Sequence, residues 1–179
     1  VVKLFRKGEL QQDIMDILLL NVRVPNERRG DHNAQIAACR LGARRLLEVI
    51  EENGLKNVLS AFDQIISRTA RRMRLAISEI PSGSYSFEDV MDGDGIDTTN
   101  IPICLTIRVS GDKINLDFSG TSQQVAGNIN TTFNAVQASA CYALIAALDS
   151  EMPSNQGILD VVEINIEPGT LLNSVFPAP

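Results

Sequence analysis

At 179 residues, 44% hydrophobic and 21% charged, the chain is long enough for one substantial core and too apolar for a disordered or low-complexity segment. Its longest apolar run, residues 140–148, is far too short for a membrane span, and no charged leader with a following apolar stretch marks a signal peptide. The net charge of −6 argues against a nucleic-acid partner, and it is uneven: residues 23–74 hold 11 Lys and Arg against 6 Asp and Glu, while residues 75–179 hold 2 against 13.

In chain order, residues 8–20 predict a short helix with Leu10, Ile14, Ile17 and Leu18 on one stripe. Residues 21–30, with Pro25 and Arg28-Arg29-Gly30, read as a loop, and Asp31 as the N-cap of a second helix. That helix would bury Ile36, Cys39, Ala43, Leu46, Leu47 and Ile50 and stop at Asn53-Gly54. Residues 55–80 carry the clearest helical period, through Leu59, Phe62, Ile65, Ile66, Met73 and Ile77. The short Gly54 turn predicts an antiparallel helix pair over 31–81, with Leu59 and Ile66 in its core.

Beyond residue 82 the period drops from 3.6 to 2. Tyr85 and Phe87 alternate in a short strand, and Ile103, Leu105, Ile107 and Val109 in a longer one. Ser110-Gly111-Asp112-Lys113 turns the chain into a return strand through Ile114, Leu116 and Phe118. Residues 131–148 read as a helix, and residues 160–166 as a last strand before the Pro168-Gly169 turn. Helices and strands are segregated, which predicts an α+β fold in one partial domain: a helix and loop at 1–30, the helix pair at 31–81, and a sheet with one further helix at 82–179. The start at Val1-Val2 without Met and the end at Phe176-Pro177-Ala178-Pro179 suggest part of a larger subunit.

Few residues invite chemistry. Cys39, Cys104 and Cys141 are odd in number and widely spaced, as buried thiols of a reducing cytoplasm would be. His32 is the only histidine, so neither a thiol–imidazole pair nor a metal site is expected. Asp92-Gly93-Asp94-Gly95-Ile96-Asp97 suggests a calcium loop, but starting at Asp92 its fifth and sixth positions are Ile96 and Asp97, and the register fails. Arg68, Arg71, Arg72 and Arg74 lie near a helix end without interleaved aromatics. Neither a phosphate loop nor a G-x-S-x-G elbow is present, so no cofactor is expected on this chain. What remains is the polar set Asp117, Ser119, Gln123, Asn128, Asn130 and Asn155. These residues either satisfy loop backbone, with Asn130 capping the following helix, or line a substrate or subunit cleft. Alternation places Asp117 and Ser119 opposite Ile114, Leu116 and Phe118, and the first five are expected to meet locally.

Four motifs in sequence carry a family resemblance: Asp31-His32-Asn33-Ala34-Gln35, Asp117-Phe118-Ser119-Gly120-Thr121-Ser122-Gln123, Pro153-Ser154-Asn155-Gln156-Gly157, and Pro168-Gly169-Thr170-Leu171-Leu172-Asn173. Over residues 21–177 the chain resembles the hydantoinase B / 5-oxoprolinase family. The resemblance implies a B-type subunit that works with an ATP-binding A-type subunit or domain in an oligomeric, cytoplasmic complex. That complex would open cyclic amides such as hydantoin or 5-oxoproline. It also implies a divalent metal in the full protein, held upstream of this segment, and inactivity of this segment alone. The family's ketone carboxylase branch, or a non-catalytic subunit-interaction module, is the alternative.

Overall fold

The computed structural model describes residues 2–179 as two compact units, one running to Ser60 and the other spanning Ala61–Pro179. The first opens with a small antiparallel hairpin of β1 (Phe5–Arg6) and β2 (Glu9–Leu10). Its two-residue turn has both Lys7 and Gly8 at positive φ, 51° and 85°, which matches the right-handed twist of the flanking strands. Helix α1 (Gln12–Leu20) then buries Met15 and Leu19.

Helix α2 (Pro25–Asn53) starts six residues earlier than the sequence suggests, so most of the predicted 21–30 loop is helix. Pro25 occupies the first turn, where its fixed φ suits a helix and its missing N–H costs nothing. Asp31 is therefore not an N-cap. It lies inside α2, paired with Arg28 at 2.8 Å. The residue at the cap position is Val24, in the left-handed region at φ 50°.

Gly54, at φ 78°, ends α2 as expected, and α3 (Leu55–Ser78) follows directly. The predicted seam between these two helices is not buried. Helix α2 buries no side chain, and Leu46, Leu47, Leu55 and Leu59 are exposed. Besides the predicted stripe, Leu41 and Val49 sit elsewhere around α2, so no single face of it is apolar enough to bury itself. Cys39, expected inside, is exposed for the same reason. Gly30 and Gly42 lie within α2 with no atom within 4 Å of where a Cβ would stand. Gly42→Ala is expected to stabilise the full-length protein by about 0.5–1 kcal/mol, seen as a higher urea midpoint.

In the second unit the end of α3 supplies Thr69, Ala70, Met73 and Ile77 as buried residues. A sheet of four strands follows in the order β3 (Gly83–Gly93), β4 (Thr99–Ser110), β5 (Lys113–Asp117) and β6 (Val162–Asn165). Strands β3 and β4 pair antiparallel over their whole length, from Gly83↔Val109 to Gly93↔Thr99. Strand β3 is longer than its sequence predicts because it is an edge strand, with Tyr85, Phe87 and Val90 exposed and little apolar patterning required. The β4–β5 hairpin forms as predicted, turning at Gly111 (φ 61°).

Strand β6 lies parallel to β5, and the crossover between them carries α4 (Phe133–Leu148) and α5 (Gln156–Leu159). The core gathers Met73, Ile77, Val109, Ile114, Leu116, Leu144, Met152, Ile158 and Val162 on one face of the sheet. The fold is α+β, and in the second unit α4, α5 and the end of α3 pack on one side of a mixed sheet. Among the described residues no helix is long and apolar enough to cross a membrane.

Candidate functional site

Strand register sorts the sheet into two faces. Ile114 and Leu116 are buried on the core side, while Lys113, Asn115 and Asp117 alternate onto the other. Helix α4 packs on the Leu116 side, where Leu144 joins the core, so it does not cover Asp117. Across the strands, Ser86, Thr106, Asp117 and Asn165 form one polar row, and Ser84, Arg108, Asn115 and Glu163 the next. Ser86 and Thr106 hydroxyls bond at 3.1 Å. The Arg108 guanidinium donates to Asp117 at 2.7 Å and reaches the Asn115 amide oxygen at 3.4 Å.

Asp117 also accepts the Ser119 hydroxyl at 2.6 Å and the Ser119 amide at 3.1 Å. These bonds and the Arg108 charge hold its carboxyl down to about 2. A carboxylate so stabilised is a poor general base, and Ser119 is locked as its donor. The pair can orient polar groups but is not a nucleophile–base couple. Because the folded carboxyl titrates below an unfolded one, its stabilising effect is complete above about pH 4 and is lost as pH falls toward 2. Asp117→Asn is therefore expected to lower the urea midpoint at pH 7, with the gap to wild type closing as the medium is acidified.

Past Ser119 the chain enters a junction woven from three loops. Gly120 takes φ 92°, and the buried Thr121 hydroxyl accepts from the Cys104 amide (3.1 Å) and donates to its carbonyl (3.2 Å). The Ser122 amide donates to the Pro102 carbonyl, the Gln124 amide to Gly169, the Leu171 amide to Ser122 and the Thr131 amide to Leu171, all at 2.8–2.9 Å. Asn130 grips this loop from inside. Its amide oxygen accepts from Val125 N at 2.8 Å, while its NH2 group donates to the Val125 and Gly127 carbonyls. The expected capping by Asn130 is not made: α4 starts at Phe133 behind Thr132, without a side-chain cap.

Two organisers escaped sequence reasoning. Asp94, almost wholly buried, receives the amides of Ile96, Asp97 and Thr98 on one oxygen and that of Gly127 on the other, at 3.0–3.1 Å. These bonds hold its carboxyl below the ordinary value. The calcium-like run around it is thus a turn folded on its own carboxylate. Gln124 clamps the 175–177 stretch, donating to Val175 and Pro177 carbonyls at 3.1 Å and accepting the Val175 amide at 2.9 Å. The Asp-Gly dipeptide at Asp94 was a usable turn signal. Gln124 left none.

Of the six polar residues singled out from the sequence, Asp117 and Ser119 form one network and Asn130 belongs to the junction. Gln123 and Asn128 are exposed on the same loop, and among the described residues their carboxamides make no hydrogen bond. Asn155 stands apart: it caps α5 through the Gly157 amide at 2.9 Å and donates to the buried Thr69 hydroxyl at 2.9 Å. His32 and Cys39 line a cavity of about 380 Å³ in the first unit, beside Phe5 and Arg40. From the arginine cluster, Arg72 is spent on a two-point ion pair with Asp149, whose carboxyl it holds below the ordinary value. Among the described residues no three His, Cys, Asp or Glu side chains converge as a metal site would require.

Comparison with known proteins is consistent over the whole chain. The profile of the Hydantoinase B/oxoprolinase family matches residues 1–179. A protein named as the B-type subunit of a D-/L-hydantoinase, from Pseudomonas sp. strain NS671, is 35% identical over 99% of this chain and 32% of its own length. The beta chain of the Pseudomonas jessenii caprolactamase is 28% identical over 99% of this chain and 31% of its own. The crystal structure of the ATP-dependent caprolactamase from Pseudomonas jessenii superposes with a TM-score of 0.86 at 28% identity, covering 99% of this chain and 31% of that one. The chain thus spans about a third of the length of these relatives. With motif order, fold and full-length similarity in agreement, the chain belongs to the hydantoinase B/oxoprolinase family.

Proposed function

We propose that the whole protein is the B-type subunit of an ATP-dependent enzyme that opens cyclic amides of the hydantoin or 5-oxoproline type, acting in the cytoplasm with an A-type ATP-binding partner. The observation that carries this reading is the 35% identity to a B-type hydantoinase subunit along 99% of the chain. In such a reaction ATP would phosphorylate the amide oxygen and make the ring carbon electrophilic toward water. The C–N bond then breaks with the ring nitrogen leaving as an amine, and a second water releases phosphate from the acyl phosphate that remains. Neither ATP nor a divalent metal fits the residues in hand: the sequence has no phosphate loop, and no metal-ligating cluster forms among the described residues. Both belong, in this reading, to other parts of the complex.

The part assigned to this chain is recognition. The junction presents the carboxamides of Gln123 and Asn128 outward on a loop held rigid by Asp94, Asn130 and Gln124. Carboxamides both donate and accept, which suits them to a ring amide or to a facing backbone. Asn128→Ala and Gln123→Ala are expected to leave the melting temperature unchanged and to lower kcat/KM by roughly tenfold each, the worth of one hydrogen bond to substrate.

The test of the whole reading uses the full-length protein with its A-type partner, offered hydantoin, 5-oxoproline and caprolactam with ATP. Phosphate release coupled to ring opening supports it. Bicarbonate-dependent turnover of a ketone without ring opening would instead assign the carboxylase chemistry. The acetone carboxylase structure shares the fold, with a TM-score of 0.85 at 19% identity. Absence of both activities would favour an interaction module.

A further inference from the structure

Helix α4 reads FNAVQASACYALIAAL, sixteen residues without one charged side chain. A surface helix ordinarily keeps charged and polar residues on its outer side, and a helix apolar all round is an interior helix. Yet only Val136 and Leu144 are fully buried here. Ala135, Ser139, Ala143 and Ala147, one turn apart, are exposed, and Tyr142 is 75% exposed.

The sheet shows the same deficit beside it. A groove of about 500 Å³ runs between α4 and Ile103, Leu105 and Ile107 of β4. On the neighbouring edge strand, Tyr85 and Phe87, which pair with Ile107 and Leu105, are 44% and 69% exposed. One layer of side chains is missing along this strip. The small residues of α4 would let a helix approach closely, and the aromatics of β3 would pack against its far side.

We propose that this strip is covered in the whole protein by a further apolar segment of the same polypeptide, packed alongside α4 over β3 and β4. Two observations favour the same chain over a second copy or a partner subunit. No charged side chain lies on α4, and Ile103, Leu105 and Ile107 of β4 facing it are all apolar, which is the composition of an interior helix on its sheet. Homologous segments also sit within much longer single chains: this chain matches 32% of the length of the hydantoinase relative and 15% of that of an Arabidopsis thaliana 5-oxoprolinase.

The experiment uses the full-length subunit, alone and with its A-type partner. Tyr142, and separately Phe87, is replaced by photoreactive p-benzoylphenylalanine, irradiated, and the adducts mapped by mass spectrometry. Adducts within one subunit, to residues outside this 179-residue segment, are expected with and without the partner. Adducts to a partner subunit or to a second copy would overturn the proposal, as would no adduct at either position. Hydroxyl-radical footprinting of the unsubstituted subunit serves as the second readout. Tyr142 and Phe87 should oxidise several-fold more slowly than free tyrosine and phenylalanine, and equal rates would count against the covering segment.

Discussion

Gly127→Ala is expected to cost the fold about 3 kcal/mol or more, the upper end of what an overpacked interior imposes. A Cβ at this position would stand 2.1 Å from the Asp94 carbonyl oxygen and 2.6 Å from the Asp94 Cβ. Neither atom can retreat cheaply, because the Asp94 carboxylate is tied to the amides of Ile96, Asp97, Thr98 and of Gly127 itself. The backbone conformation of Gly127 is not of the left-handed kind, so close approach alone makes glycine necessary there. Urea unfolding of the full-length subunit measures the effect. A cost no larger than that of an exposed loop substitution would mean that the 94–98 turn and the 121–131 loop are not rigidly joined. Because the contact holds the loop carrying Gln123 and Asn128, the variant should also lose turnover at temperatures where it remains folded.

Truncating Ile77 to alanine should cost about 2–5 kcal/mol, the range for a large aliphatic side chain in a core that cannot fully collapse. Ile77 and Met73 are completely buried, in contact with the β4, β5 and β6 residues that close the sheet's apolar face. The same change at Leu59, earlier on the same helical stripe and 52% exposed, is expected to stay within about 1 kcal/mol. A paired denaturation series on the two variants decides whether the stripe of α3 is energetically continuous or divided. Equal losses would show that Leu59 is covered in the full-length protein.

This division explains what the residues made legible and what they did not. Period found α3, the β4–β5 hairpin and α4 because Met73 with Ile77, Ile114 with Leu116, and Val136 with Leu144 each keep the spacing of one buried side. It misjudged α2, whose 29 residues bury nothing and so carry no face to read. It also misjudged the start of that helix, where Pro25 is as compatible with a first turn as with a loop. Strand β3 was cut short because an edge strand bonded on one side needs no strict alternation. At the junction, the polar letters of 117–130 announced a loop, and Asp117 with Ser119 could be paired from their spacing. Asp94 could not, since its contact with Gly127 spans 33 positions and depends on two loops arriving together.

The parallel pairing of β5 with β6 sets an order of assembly. Strands β3, β4 and β5 are joined by short turns and can zip together early, as local hairpins do within microseconds. Strand β6 must wait for residues 118–161 to fold back, and only then can the Gly169, Leu171 and Ser174 backbone bonds to the 122–131 loop form. Closing that long excursion carries an entropy cost that the early hairpins avoid. The loop bearing Gln123 and Asn128 is thus finished last, once the return strap from 167 to 175 has been drawn across it. In native-state hydrogen exchange the amides of Gln124, Thr131 and Leu171 should open before those of β4, so the proposed recognition loop is also the part of the sheet domain most readily unmade.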